Sequence, residues 1–141
     1  MDKHAKAQWS GDLKSGKGSL SSGSGVLSNT PYSFRDRFES GTGTNPEELL
    51  AAAHAGCFTM ALSMTLGLEG LKADSLKTTC TVTLDKEGDG FAIKKSALKL
   101  VAKIPGASQD AFDRATQQAK EGCPVSKLFD TEITLDAKLE S

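Results

Sequence analysis

"GTNPEELLAAAHAGCFTMALSMTLGLEG", residues 43–70, is the most apolar stretch of this 141-residue chain, and its fold sets what surrounds it. Asn45 followed by Pro46 marks a helix start. An Asn side chain can accept from the first free N–H groups, and the fixed φ of proline suits the first helical position. Glu48 falls three residues after the cap, where a capping-box acid belongs. The spacing predicts a helix running from there to Gly67 or Gly70. Nearly every face of it is apolar, so it must be wrapped by a sheet or by another subunit. His54, Thr59, Ser63 and Thr65 interrupt the apolar run, which reads as a buried helix rather than a membrane span.

Upstream, residues 1–44 are rich in Gly and Ser, yet Trp9, Leu13, Leu20, Val26 and Leu27 are interleaved among them. "KAQWSGDL" and "GKGSLSSGSGVLS" predict two twisted strands, and "PYSFRDRF" a third, in an antiparallel sheet with one wet face. Downstream, residues 71–141 begin with a hairpin. Leu76, Cys80, Val82 and Leu84 alternate with Thr and Lys, "EGDG" makes the turn, and Pro105 ends the return strand. "SQDAFDRATQQAKEG" predicts an amphipathic helix with Ser108 as N-cap, Phe112, Ala115 and Ala119 inside, and Gly122 at C′. "CPVSKLF" restarts a short helix with Pro124 at its first position. "TEITLDAKLE" predicts a closing strand. Together these elements predict one α+β domain over 1–141: strands over 1–44, a central helix over 45–70, then hairpin, helices and final strand.

A net charge of −1, with 25% charged and 38% apolar residues, offers no field that would draw nucleic acid or an anionic membrane. The opening "MDKHAKAQWSGD" lacks the apolar core of a signal peptide, so the cytoplasm is the expected compartment. Three cysteines without C-x-x-C, and two histidines out of zinc spacing, predict no structural disulfide framework and no metal site.

The three thiols differ. Cys80, between threonines on the inward phase of a strand, reads as a small core side chain. Cys123, immediately before Pro124, would meet free N–H groups at a helix start, which favours the thiolate; a coincidental turn cysteine fits the pattern as well. Cys57 lies mid-helix, where burial raises a thiol's pKa, and only a cation brought from elsewhere could activate it. His54, one turn back, could face the same side, although a lone His on an apolar helix is usually a satisfied core residue. Local physics therefore favours Cys123 over Cys57 as the reactive thiol.

The run "GTNPEELLAAAHAGCFTMALS", followed by "EGCPVS", resembles the OsmC family of organic hydroperoxide reductases. "HAKAQWSGDLKSGKGSLSSGSGVL", "PYSFRDRFE" and "CPVSKLFDTEITLDAKL" are similar to that family too, and fit its OsmC branch better than its Ohr branch. The resemblance spans essentially the whole chain. It implies an intertwined homodimer with antiparallel sheets wrapped around long central helices. It also implies thiol-dependent reduction of organic hydroperoxides, hydrogen peroxide less well, with no cofactor. By residue, it implies Cys57 as the peroxidatic cysteine, Cys123 as the resolving one, Arg37 as the pocket cation and Glu47 as its carboxylate partner. Arg35 is a neighbouring second cation. An external dithiol, lipoyl-type or a small thiol, would reduce the resulting disulfide.

Such chemistry suits these residues. A guanidinium stays charged in an apolar pocket, stabilises a thiolate and polarises an O–O bond. Ten helical residues at about 1.5 Å each separate Glu47 from Cys57 by roughly 15 Å. Either the helix bends sharply, or Glu47 and Arg37 complete the pocket around Cys57 of another subunit. Phe58, Met60, Met64 and Phe34 are the candidate apolar lining. The competing expectations are a non-catalytic dimer that binds an apolar small molecule, and a slow thiol redox sensor.

Overall fold

A computed structural model describes residues 1–128. The chain forms two compact units, Met1–Ala52 with Thr81–Ala97, and Ala53–Cys80 with the described residues from Leu98 on. The architecture is α+β, with antiparallel strands and one long helix.

In the first unit, β1 (Ala5–Ser10), β2 (Lys17–Ser22) and β3 (Thr30–Tyr32) form an antiparallel sheet in the order β1-β2-β3. Trp9 faces Gly18 across β1 and β2, and Gly18 faces Tyr32 across β2 and β3. The absent side chain at Gly18 lets the Trp9 and Tyr32 rings meet edge to face, 5.5 Å between centroids.

The expected third strand is shorter than "PYSFRDRF". Phe34–Phe38 is a helical turn, α1, rather than a strand. Ser33 decides this: its hydroxyl accepts from Asp36 N and donates to Asp36 Oδ2 at 2.9 Å, a reciprocal N-cap. Phe34 and Phe38, one turn apart, then stack at 4.8 Å.

The long helix α2 runs unbroken over Pro46–Leu68, capped as expected by Asn45 Oδ1, which accepts from Glu48 N at 2.8 Å. Glu48 binds the Thr44 hydroxyl at 2.7 Å, so its carboxylate is taken up by structure. From His54 onward, α2 has two unlike faces. His54, Phe58, Leu62, Thr65 and Leu66 are buried, while Met60, Met64 and Leu68 are 78%, 65% and 78% exposed. By length and composition α2 could cross a membrane, but the face from His54 to Leu66 packs into the core of its own unit.

The strands β4 (Ser75–Glu87) and β5 (Gly90–Lys103) form the expected hairpin, turning at Gly88-Asp89. Gly88 adopts φ +59°, a conformation that costs glycine little. The helix α3 (Gln109–Gly122) is capped by Ser108, whose hydroxyl accepts from Ala111 N. Its buried positions Ala111, Ala115 and Ala119 repeat every four residues. Those small side chains let α3 lie close to α2, and Thr65 Oγ1 donates to the Ala115 carbonyl at 2.9 Å. Phe112 is only half-buried. Gly122 is the last helical residue rather than C′, because Cys123 forms the C-cap, its N–H on the Ala119 carbonyl. Pro124–Leu128 forms the short helix α4. The predicted closing strand "TEITLDAKLE" lies outside the described residues.

Leu62, 0% exposed, is central to the second unit's core together with Ala115, Ala119 and Leu66. Leu62→Ala is expected to cost about 2–5 kcal/mol through lost burial and the cavity left behind, lowering the urea midpoint measured at fixed protein concentration.

Candidate active site

Two clusters of reactive groups stand out, one in each unit. The first holds Arg37 and Glu47. Arg37 sits on α1 and Glu47 in the first turn of α2, and the loop between these helices sets them opposite each other. Asp36 Oδ1 accepts from Gly43 N at 2.9 Å, an approach so close that a side chain at Gly43 would strike the carboxylate. Asn45 does two jobs: Oδ1 caps α2, while Nδ2 donates to the Asp36 carbonyl at 3.1 Å. Thr44 N donates to the Pro31 carbonyl, tying the loop to β3.

On this scaffold Arg37 forks onto Glu47, with Nη2 to Oε1 at 2.8 Å and Nε to Oε1 at 3.1 Å. The Arg37 side chain is 40% exposed and that of Glu47 only 11%. The carboxylate is thus an inner support and the guanidinium reaches outward. Its Cζ also lies 5.5 Å from the Phe38 ring centroid. Arg35 does not join this pair; its Nε donates to the Ser40 carbonyl at 3.0 Å.

Beside Arg37 opens a cavity of about 310 Å³, walled by Trp9, Leu13, Tyr32, Phe34 and Pro46. Of the four side chains expected to line an apolar site, only Phe34 is in this wall. Phe58 is buried in the second unit's core, and Met60 and Met64 point outward from α2.

The second cluster holds the thiols. Cys57 on α2 packs against the core cluster that holds Cys123, just before α4, and each thiol shifts the other's pKa. Cys57 is half-buried and Cys123 fully buried. Burial pushes the Cys57 thiol up, and the Cys123 thiol pushes it further, against a weaker contribution from the Val125 N–H. Burial also pushes Cys123 up, but there the Cys57 thiol and the Ser126 and Val125 donors outweigh it and the net shift is downward. Those donors sit where an N-cap acceptor meets the N2 and N3 positions of a helix. Within one chain, then, the Cys57 thiol is raised and the Cys123 thiol lowered, the order the helix positions alone suggest.

His54 is buried, with Nε2 3.0 Å from Ser126 Oγ and Nδ1 4.0 Å from Cys80 Sγ. Cys80 is half-buried rather than fully inside. Asp36 and Ser126 are the contributors that sequence reading passes over. Their signals are positional: each lies three residues after a capping residue, Ser33 and Cys123. Among the described residues, no group of three or more His, Cys, Asp or Glu side chains gathers as metal ligands would.

Known proteins share this arrangement of sequence and fold. Residues 39–138 match the family model described as OsmC-like protein. The chain is 53% identical to Peroxiredoxin OsmC of Escherichia coli (strain K12), over all of this chain and 99% of that protein. It is 34% identical, over 67% of each chain, to Organic hydroperoxide resistance protein-like 1 of Staphylococcus saprophyticus. The crystal structure of the organic hydroperoxide resistance protein OhrB of Bacillus subtilis superposes with a TM-score of 0.64 at 30% identity, covering 89% of each chain. The α+β chain with its long apolar helix belongs to the OsmC-like family.

Proposed function

We propose that this chain is a cysteine-based peroxidase that reduces organic hydroperoxides to alcohols at the expense of an external dithiol. The observation that carries this reading is the packing of Cys57 against the core cluster that holds Cys123, two residues far apart in sequence whose thiols perturb each other. A route through an internal disulfide needs a second thiol within reach of the oxidised sulfur. The names of the relatives support the same activity.

The Cys57 thiolate attacks the distal oxygen of ROOH, the O–O bond breaks, and the alkoxide leaves and takes up a proton as ROH. Cys57 is then a sulfenic acid. The Cys123 thiolate attacks the Cys57 sulfur, hydroxide leaves and is protonated to water, and a Cys57–Cys123 disulfide remains. A lipoyl-type or small dithiol reduces that bond by exchange, becoming a disulfide itself. Reducing power of that kind is kept in the cytoplasm, where we place the protein.

Cys57 must first lose its proton, and its own unit raises its pKa. Arg37, a guanidinium already forked onto Glu47, is the group fitted to lower it. The helix α2 is continuous between Glu47 and Cys57, ten residues apart. We therefore assign the task to Arg37 and Glu47 of a second subunit, in a homodimer with shared pockets. The exposed apolar face of α2 around Met60, Met64 and Leu68 supports a second copy as its cover. The aromatic cavity beside Arg37 would receive the alkyl part of the substrate, favouring organic hydroperoxides over hydrogen peroxide.

One equivalent of cumene hydroperoxide added to reduced protein should give one equivalent of alcohol and a Cys57–Cys123 disulfide, read by mass spectrometry. Retention of both thiols would favour the small-molecule binder instead. Turnover with excess dithiol separates an enzyme from a redox sensor. In Cys123→Ser the first oxidation should proceed, and a dimedone-trappable sulfenic acid should accumulate on Cys57.

A further inference from the structure

Cys123 does not hold its hydrogen-bond donors unaided. Ser126, three residues further on in α4, lowers the Cys123 thiol through both its N–H and its hydroxyl. The N–H is fixed by α4, but the hydroxyl can rotate. What faces its oxygen is His54 Nε2, 3.0 Å away and reached from α2 across 72 residues of chain. The other ring nitrogen, Nδ1, faces the Cys80 sulfur at 4.0 Å. With Nδ1 as the unprotonated nitrogen facing that sulfur, the ring proton resides on Nε2. In that tautomer Nε2–H donates to Ser126 Oγ, which leaves the serine hydrogen free to point at Cys123.

Given the peroxidase reading above, we propose that His54 is a positioning residue for the resolving step. Through Ser126 Oγ it directs a hydroxyl hydrogen onto the Cys123 sulfur and prepares that thiolate to attack oxidised Cys57. Four side chains thus run in one donor chain, Cys80 to His54 to Ser126 to Cys123. Burial holds the imidazole below its ordinary pKa, and a neutral ring is what the chain of donors requires. The chemistry is that of resolution itself: Cys123 thiolate and Cys57 sulfenic acid form the S–S bond, the S–O bond breaks, and hydroxide leaves as water. His54 touches none of the reacting atoms.

The test compares wild type with His54→Leu, His54→Gln, Ser126→Ala and the His54→Leu/Ser126→Ala double variant. Two readouts are taken. One is the ultraviolet thiolate absorbance of reduced protein at neutral pH. The other is the rate of disulfide formation after one equivalent of cumene hydroperoxide, set against the rate at which dimedone-trappable sulfenic acid appears. Loss of a hydrogen bond to a charged sulfur should slow disulfide formation about tenfold in His54→Leu and in Ser126→Ala. Thiolate absorbance should fall in both, with no further loss in the double variant. His54→Gln, which keeps a donor near the Nε2 position, should return most of the rate. The loss should fall on disulfide formation rather than on sulfenic acid formation. Wild-type thiolate absorbance and resolution in both His54→Leu and Ser126→Ala would overturn the proposal, as would effects that add in the double variant. If no protein forms sulfenic acid, the peroxidase reading fails, while the thiolate absorbances still decide the role of His54. Ser126→Ala, a small change on a short helix, keeps the test decisive if His54→Leu does not fold.

Discussion

Replacing Cys57 by Ser is expected to abolish hydroperoxide consumption, a loss of at least about a thousandfold measured as alcohol released per subunit. A hydroxyl at the same place ionises far above any working pH and cannot form the sulfenic acid on which both later steps depend. In the proposed mechanism Cys123→Ser removes only the second step. The two variants therefore differ in kind: one consumes no peroxide, the other consumes one equivalent and stops. This contrast matters because the pKa directions within one chain point the other way, with Cys123 lowered and Cys57 raised. If Cys123→Ser were inert and Cys57→Ser turned over, the local electrostatics would have named the nucleophile and Arg37 would have no part in it.

The second large effect belongs to Arg37. Arg37→Ala should reduce kcat/KM for an organic hydroperoxide by about a hundredfold to a thousandfold, the cost typical of losing a fixed donor at a developing anion. Arg37→Lys should recover little, because an ammonium cannot fork onto Glu47 through two nitrogens as Nε and Nη2 do. Glu47→Gln should cost about tenfold, since the cation survives but its orientation loosens. In Arg37→Ala the Cys57 thiol should titrate higher than in the wild type. The Arg effect then reports on thiolate formation and not on substrate binding alone. Arg35, held by the Ser40 carbonyl, should tolerate Ala with less than about a twofold change in kcat/KM.

How much of this could be read before the fold was known depends on the range of the forces involved. Helix starts are local, so Asn45-Pro46 and Ser108 marked α2 and α3 to the residue. The Phe34–Phe38 segment reads as strand because "FRDRF" satisfies both a two-residue alternation and an i, i+4 pair. Ser33 and Asp36 break the tie, and their reciprocal cap is visible in sequence once sought. Gly122 invites a C′ assignment, yet the helix includes it and ends on Cys123 as C-cap, with Pro124 behind it.

The candidate site divides along the same line. Cysteine next to proline announced a helix-start thiol, and Cys123 is met there by the Ser126 and Val125 donors. That Cys57 faces it, or that Arg37 rather than Arg35 reaches Glu47, is tertiary geometry that only resemblance could suggest. The apolar lining was least legible. Phe58, Met60 and Met64 are near Cys57 in sequence, but helix periodicity sends Phe58 to the core and the two methionines outward. The wall beside Arg37 comes instead from Trp9, Tyr32 and Phe34, set by a sheet and a capped turn.

The central claim is that Cys57 is activated by Arg37 of a second subunit, and mixed dimers test it most directly. Cys57→Ser and Arg37→Ala proteins, each inactive alone, are unfolded together, refolded as a mixture and assayed for hydroperoxide reduction. In a mixed dimer one pocket combines the intact Cys57 of one subunit with the intact Arg37 of the other. Activity approaching half that of the wild type per mixed dimer is the predicted result. A mixture as inactive as its parents, with mixed dimers demonstrated by native mass spectrometry, would contradict it and return both residues to a single chain.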